Sequence, residues 1–144
     1  MNALVVDASV AAKWFLPSAG ETLTDEAGEL LKRYARGQLQ FVVPDLFWAE
    51  IANIFWKAAR QGRWSQAAGA NAVRTIRERN IPTVATITLL DDAFSIASSF
   101  DRTVYDSLYV ALAIWSKTEL VTADERLANS LAAHLPVKWL GSFF

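Results

Sequence analysis

The sequence predicts an α/β protein of three layers, in which helices cover both faces of a central parallel sheet of about five strands. Short runs of strand-forming residues alternate with longer segments whose apolar residues recur at helical spacing. The first run, residues 4–6, is rich in Val and lacks polar alternation, which is typical of a parallel strand covered on both faces. Strands separated by helices are joined by right-handed crossovers, so we expect a doubly wound sheet.

Length and composition predict one domain over residues 1–144, large enough to bury about 70% of the surface of the unfolded chain. Cys is absent, which excludes disulfides, thiolate zinc sites and a cysteine nucleophile. The longest purely apolar run, residues 108–115, is too short to span a bilayer, and the N-terminus lacks the basic segment of a signal peptide. We therefore expect a cytoplasmic protein without a membrane partner.

The formal net charge of -1, from 14 basic and 15 acidic residues, gives no overall electrostatic footprint for nucleic acid. Any polyanion must therefore be bound locally. Two groups of basic residues could steer a phosphate backbone, although ordinary solvated helix faces are the preferred explanation: Lys57, Arg60 and Arg63, and Arg74, Arg77 and Arg79. Hydrophobic residues make up 53% of the chain, with 6 Trp, which indicates that a partner covers part of the surface.

The first half of the chain contains two strands and three helices by its pattern. In order these are a strand at 4–6, a short helix from residue 8, a helix at 21–36, a strand at 39–43 and a helix at 46–61. The segment Pro-Ser-Ala-Gly at 17–20 separates the first two helices, and Gly62 ends the third.

The second half continues the alternation. It contains a helix capped by Ser65 that ends near residue 79, a strand within 81–87, a helix that ends at 100, a buried helix at 104–115, a strand at 119–122, a helix at 125–133 and a strand at 137–139. Residues Thr88 to Asp91 have the form of a capping box, which predicts a helix start at this point. Asp91 and Asp92 are then first-turn acids, and we place them outside any site.

Two aspartates follow predicted strands directly. Asp7 ends the strand at 4–6, and Asp124 opens the helix that follows the strand at 119–122. Asp is a favoured N-cap, so capping alone would explain either residue. In open parallel sheets, however, ligands gather beyond the carboxyl ends of the strands, and both residues lie there.

Two further acids lie in helices. Glu50 belongs to the helix at 46–61, where Asn53 and Lys57 follow at i+3 and i+7, so a solvated polar stripe would explain it. Asp106 stands in the first turn of the nearly apolar helix at 104–115. A buried, unpaired carboxylate is expensive, so Asp106 requires an ion-pair partner, backbone donors or a metal ion.

The four carboxylates gain significance together, because a doubly wound sheet brings their segments to one edge. The only histidine, His134, lies near the C-terminus and is expected to be an ordinary surface residue. A cluster of carboxylates without His or Cys suits Mg²⁺ or Mn²⁺ rather than zinc. Such ions bind phosphates and generate hydroxide for phosphodiester hydrolysis.

Four segments resemble the acidic motifs of PIN-domain ribonucleases, specifically the VapC-type toxins of bacterial and archaeal toxin–antitoxin modules. They are LVVDAS at 4–9, AEIAN at 49–53, YDSLYVALA at 105–113 and TADERL at 122–127. The first and third segments are the specific ones, and the resemblance spans nearly the whole chain.

The resemblance implies a PIN-like fold and a Mg²⁺ or Mn²⁺ site that carries catalysis. Its catalytic and metal-binding residues would be Asp7, Glu50, Asp106 and Asp124, with Ser9, Asn53 and Thr122 as supporting polar groups. It also implies endonucleolytic RNA cleavage, a homodimer, and inhibition by a small VapB-type antitoxin whose C-terminal segment crosses the active-site groove. We expect part of one apolar set to line that groove: Trp14, Phe15, Leu16, Phe47, Trp48, Phe55 and Trp56.

Two other classes of function stay open. A Mg²⁺-dependent phosphoryl-transfer enzyme with a covalent aspartate would resemble haloacid dehalogenases, but Ser9 stands where such a site has its second Asp. A non-catalytic protein-interaction module would use the four acids only as helix caps. Divalent-metal titration separates these classes, because a set of caps would bind Mn²⁺ no better than the unfolded chain does.

Overall fold

A computed structural model of the protein describes residues 2–144, which form five strands separated by one or two helices each, seven α-helices in all. The elements are β1 Asn2–Val6, α1 Ala8–Ala11, α2 Thr24–Ala35, β2 Leu39–Pro44, α3 Leu46–Arg60, α4 Gln66–Arg77, β3 Thr83–Val84, α5 Thr86–Phe100, α6 Val104–Trp115, β4 Leu120–Thr122, α7 Glu125–Leu131 and β5 Val137–Trp139. A short 3₁₀ turn, Ala12–Trp14, extends α1. The described residues include no helix long and apolar enough to cross a membrane.

The sheet has the strand order β3-β2-β1-β4-β5, and all of its strand pairs are parallel. β1 lies at the centre, with Leu4 opposite Phe41 of β2 and Val5 opposite Leu120 of β4. The chain builds one side of the sheet with β2 and β3 and the other with β4 and β5. The order of the strands along the sheet therefore reverses between β1 and β4, and the carboxyl ends of these two strands border the crevice where ligands bind in such sheets. The predicted three-layer architecture with a parallel sheet is confirmed.

The core lies on both faces of β1 and β4. Val5, Val6 and Val121 are fully inaccessible, and residues 107–113 of α6 are all buried. Burial of a side chain of this size contributes about 1.5–3 kcal/mol relative to exposure, so these elements fix the central strands firmly. The predicted bounds of α6 and β5 are confirmed, and Ser65 caps α4 by accepting a hydrogen bond from the N–H of Ala68 at 3.1 Å.

The predicted start of α5 was wrong. The strand expected within 81–87 is reduced to Thr83–Val84, and α5 begins at Thr86, so Thr88 lies inside the helix and caps nothing. The reason is a cap from a distant segment. The Asp45 carboxylate accepts hydrogen bonds from the Thr86 hydroxyl and from the Thr86 backbone N–H, the latter at 3.0 Å. Local sequence cannot reveal this contact.

Two further details of the helices differ from the prediction. Asp91 and Asp92 lie in the second turn of α5 rather than in the first, and both are exposed. α2 begins at Thr24 instead of residue 21, because Leu23 adopts a left-handed conformation with φ 59°. Glu21 is thereby kept out of the helix and available for contacts elsewhere in the molecule.

Candidate functional site

Asp7 occupies the turn from β1 into α1 and joins the carboxyl ends of two strands. Its Oδ1 accepts a hydrogen bond from the N–H of Ser9 at 3.3 Å, which confirms it as the cap of α1. Its Oδ2 accepts a hydrogen bond from the hydroxyl of Thr122 at 2.7 Å, and Thr122 is buried at the end of β4. The two strands thus hold this carboxylate in one orientation.

The environment of Asp7 disfavours its charge. Burial raises the pKa of the Asp7 carboxyl, the hydrogen bonds from Thr122 and Ser9 lower it, and the charge of Asp106 raises it again; the balance is a raised pKa. An ordinary capping aspartate gains from its N–H partners and has no acid beside it. Asp7 is therefore a cap that also belongs to a group of acids.

Glu50 is held by a tyrosine from another helix. The Tyr109 hydroxyl donates a hydrogen bond to Oε1 of Glu50 at 2.5 Å, which ties α3 to α6. Burial raises the pKa of Glu50, the hydrogen bond from Tyr109 lowers it, and the charges of Asp7 and Asp106 raise it further; the result is a raised pKa. The polar stripe predicted on α3 is thus partly directed into the molecule.

Asp106 stands in the first turn of α6, whose N-terminus is capped by Thr103. Its Oδ2 lies 3.3 Å from Nη2 of Arg102, and both side chains are partly exposed. This ion pair supplies the partner that the sequence required, but an exposed i,i+4 pair stabilises by only about 0.3–0.5 kcal/mol. The ion pair therefore does not remove the effect of the Asp106 charge, which contributes to the raised pKa of Asp7 and of Glu50.

Asp124 is exposed and adjoins this group through polar neighbours. Its carboxylate caps α7 by accepting a hydrogen bond from the N–H of Leu127 at 3.2 Å. Its own N–H donates to the hydroxyl of Thr122 at 3.0 Å, and the N–H of Ala123 donates to the hydroxyl of Ser9 at 3.3 Å. The β4–α7 turn is therefore joined to Asp7 by way of Thr122 and Ser9.

The structure thus gathers Asp7, Glu50 and Asp106, with Ser9 and Thr122 as hydrogen-bonding neighbours. Asn53 is exposed on α3, and no hydrogen bond within residues 2–144 joins its side chain to the acids. Sequence reasoning did not single out Tyr109, because it stands in an apolar run. The available signal was its position, i+3 from Asp106 on the same helix.

These residues have the chemical character of ligands for a metal ion, but their side chains do not form a complete coordination shell. Among residues 2–144, no three Asp, Glu, His or Cys side chains are arranged closely enough to hold an ion as they stand. The available donors are nevertheless carboxylate and hydroxyl oxygens, which Mg²⁺ and Mn²⁺ prefer. In the described part of the chain, Arg102 makes the only ion pair to any of the four acids. A divalent cation would supply the missing positive charge.

The PIN domain family model matches residues 4–130 of this chain. A curated relative, the ribonuclease VapC3 of Pyrobaculum aerophilum, is 33% identical over 132 residues, which span 90% of this chain and 95% of that protein. The family match, over residues 4–130, includes all four acidic segments.

Two solved structures share the fold. A crystal structure of a protein from Pyrobaculum aerophilum covers 98% of this chain and 85% of its own, with a TM-score of 0.69 and 23% identity. A chain of a toxin–antitoxin complex from Klebsiella pneumoniae covers 94% of this chain and 95% of its own, with a TM-score of 0.58 and 13% identity. At these identities the likeness concerns the fold alone.

Proposed function

Since the chain belongs to the PIN domain family, we propose that it is a VapC-type ribonuclease, the toxin of a VapBC-type toxin–antitoxin system. It would hydrolyse RNA phosphodiester bonds endonucleolytically in the cytoplasm, with Mg²⁺ or Mn²⁺ as its cofactor. The observation that carries the proposal is the group of acids at the carboxyl ends of β1 and β4, where burial and mutual repulsion raise the pKa of Asp7 and of Glu50. Carboxylates whose pKa is raised by burial and by neighbouring charges are typical of functional sites.

The residues that would hold the cation are Asp7, Glu50, Asp106 and Asp124, supported by Ser9, Asn53 and Thr122. When bound, the cation would supply positive charge to the scissile phosphate and lower the pKa of the attacking water. Thr122 and Tyr109 fix the orientation of the Asp7 and Glu50 carboxylates by donating to one oxygen of each. Each oxygen of Asp7 accepts one hydrogen bond and retains a second lone pair for the cation, and Oε2 of Glu50 accepts no hydrogen bond within residues 2–144.

Cleavage assays with purified protein test this proposal. RNA should be cut internally in Mn²⁺ or Mg²⁺ and left intact in EDTA, and added metal should restore the cutting. Cleavage that persists in EDTA would refute the metal mechanism. If the protein neither cuts RNA nor binds Mn²⁺ more tightly than the unfolded chain does, the acids are only caps and the protein-interaction module is the better description.

The VapB-type antitoxin would bind on the outer surface of α3 and α4. Most of the apolar set expected to line a groove instead packs in or against the core: Phe47 and Phe55 are fully buried, and the ring of Trp14 packs at a tilt against that of the core residue Phe41. The exception is Trp56, which is 56% exposed beside an apolar cavity between the two helices. Trp56→Glu should release a small partner protein that the original chain retains on purification from its host, and retention by the variant would contradict this placement.

The homodimer would form through α5. Ile87, Leu90 and Phe94 follow each other at i, i+3 and i+7, and all three are exposed apolar side chains on one helix face. A contiguous apolar stripe of this kind is typical of a protein interface. Light scattering should give twice the chain mass for the original protein and the mass of one chain for Phe94→Asp; a monomeric original protein would refute the dimer.

A further inference from the structure

A second group of charges lies beside the acids, and nothing in the family resemblance accounts for it. Lys13, Glu21 and Arg63 form a cluster, which we call the cation cluster, in which Nζ of Lys13 and Nη2 of Arg63 each lie 3.0 Å from a different oxygen of Glu21. The three side chains are only 9%, 27% and 13% exposed for Lys13, Arg63 and Glu21 respectively. Arg63 is therefore not the solvated cation that its sequence position predicted.

The cation cluster retains hydrogen-bonding capacity. Nζ of Lys13 makes one hydrogen bond within residues 2–144, to Glu21, although an ammonium carries three protons. Arg63 uses only Nη2, which contacts Glu21 and donates to the carbonyl oxygens of Pro17 and Ala19 at 3.3 Å each. Two cations share one carboxylate, so the cluster carries a net charge of about +1 and has donors to spare.

These donors face a cavity that reaches the acids. The cavity has a volume of about 320 Å³, and Lys13, Glu21 and Arg63 line one part of it. Ser9 and Asp124 line another part, and Ile54 contributes an apolar wall. A ligand in this cavity would thus touch the cation cluster at one end and the proposed cleavage site at the other.

We propose that Lys13 and Arg63 bind a backbone phosphate of the RNA, next to the phosphate that is cleaved. The inference rests on the proposed function, since it assigns a subsite to the same substrate. A protein with a net charge of -1 and a group of acids in its site repels RNA, and the chain has to offset this repulsion locally. Two cations held in a cavity beside those acids meet this need, and Glu21 keeps them in place when no RNA is bound.

The competing explanation is purely structural. Arg63 also fastens the segment at 17–20 to the end of α3, and the ion pairs could serve this purpose alone. A structural cluster would lower the melting temperature when it is disrupted, but it would not change how the affinity for RNA depends on salt. Salt dependence therefore separates the two roles, because each phosphate contact to single-stranded RNA adds about 0.7 to the slope of log affinity against log salt.

The experiment measures binding of a fluorescent 12-nucleotide RNA of random sequence in Mg²⁺, between 50 and 200 mM salt. An Asp7→Asn background prevents cleavage. Lys13→Gln and Arg63→Gln should each lower the slope of log affinity against log salt by about 0.7. Between 50 and 200 mM salt, the fold loss of affinity should therefore be smaller by a factor of about 2.5 than in the Asp7→Asn background alone. The matched control is Arg36→Gln, which removes an exposed cation just before the amino end of β2 and should leave the slope unchanged.

Glu21→Gln should change the affinity for RNA in the opposite direction. It keeps the shape of the side chain and frees both cations from their shared carboxylate, so RNA should bind more tightly and with a steeper salt dependence. Slopes for the Lys13 and Arg63 variants equal to that of the Arg36 control would overturn the inference, as would the absence of RNA binding at 50 mM salt. The proposed function fails separately, through a lack of cleavage by the original protein, because this binding assay requires no turnover.

Discussion

Asp7 and Asp124 occupy equivalent positions in the chain, each between the end of a strand and the start of a helix. Both cap the helix that follows: Asp7 accepts from the N–H of Ser9 and Asp124 from the N–H of Leu127. Their surroundings differ. Asp7 is partly buried at the centre of the sheet, where burial and the charge of Asp106 raise its pKa, whereas Asp124 is exposed to solvent.

This difference shows that capping geometry does not identify a functional acid. Each residue accepts one hydrogen bond from a backbone N–H of its helix, so neither the motif nor the capping hydrogen bond distinguishes them. The distinguishing features are burial and like-charged neighbours, which an ordinary cap lacks. A functional asymmetry between Asp7 and Asp124 should therefore be measurable with substitutions that preserve both caps.

The largest expected effect concerns RNA cleavage in saturating Mn²⁺. Asp7→Asn should reduce the cleavage rate about 100-fold or more, because it removes a charged oxygen from the centre of the acid group and metal-based charge stabilisation is worth several kcal/mol. Asp124→Asn should reduce it less, by about 10-fold, because its carboxylate lies at the exposed rim. Asn is a good N-cap, so both variants should fold, as circular dichroism can verify. Equal losses of cleavage rate in the two variants would contradict the functional difference between Asp7 and Asp124.

A smaller effect is expected for metal affinity when the support of Glu50 is removed. Tyr109→Phe deletes the hydroxyl that donates to Glu50 but keeps the buried ring. Loss of such an outer contact typically weakens metal binding about 10- to 100-fold, and calorimetric titration with Mn²⁺ should show a change in this range.

The same helix supplies the control for this titration. Tyr105→Phe removes the hydroxyl of an exposed tyrosine and should leave the Mn²⁺ affinity unchanged. The support role of Tyr109 is wrong if the two variants bind Mn²⁺ equally, and the acids are not a metal site if neither variant nor the original protein binds it.

The sheet could be predicted from the sequence because its strands and helices have recognisable local residue patterns. The Val-rich run before Asp7 and the apolar run of α6 each carry their own signal, and both elements form as expected. The errors lie where two distant segments meet. Asp45 caps α5 across 41 residues, and Tyr109 reaches Glu50 across 59. No local pattern encodes such partners.

The same limit applies to the charged residues. Arg63 has the sequence context of a solvated cation at the end of a helix, and only the fold brings Glu21 and Lys13 to it. The acids could be singled out one by one because Asp and Glu at strand ends and helix starts are conspicuous. Their mutual repulsion, which separates Asp7 from an ordinary cap, depends on distances that a sequence does not contain.

The smallest expected effect is on the stability of the metal-free protein, and here the two positions should differ in sign. The pKa values of Asp7 and Glu50 are raised in the folded state. Between the ordinary carboxyl pKa near 4 and these raised values, the folded protein binds more protons than the unfolded chain does. The free energy of unfolding contributed by these groups therefore falls as pH rises through this window, and the loss is complete once the pH exceeds the raised values.

Asp7→Asn removes one of the repelling charges while it keeps the side-chain shape. Like charges a few ångströms apart repel by on the order of 1–3 kcal/mol at an effective dielectric near 20, and solvent reduces this. If about 1 kcal/mol is recovered, the melting temperature in EDTA at pH 7.5 should rise by roughly 3 °C. Asp124→Ala instead removes a cap worth about 1 kcal/mol and should lower the melting temperature by a similar amount.

Melts repeated near pH 4, where the raised pKa of the Asp7 carboxyl favours its protonated form, should erase the gain of Asp7→Asn but leave part of the loss of Asp124→Ala. If Asp7→Asn is instead less stable at pH 7.5, the hydrogen bonds to Asp7 stabilise the protein more than the repulsion from Asp106 destabilises it. Electrostatic repulsion would then not distinguish Asp7 from Asp124 as the functional acid.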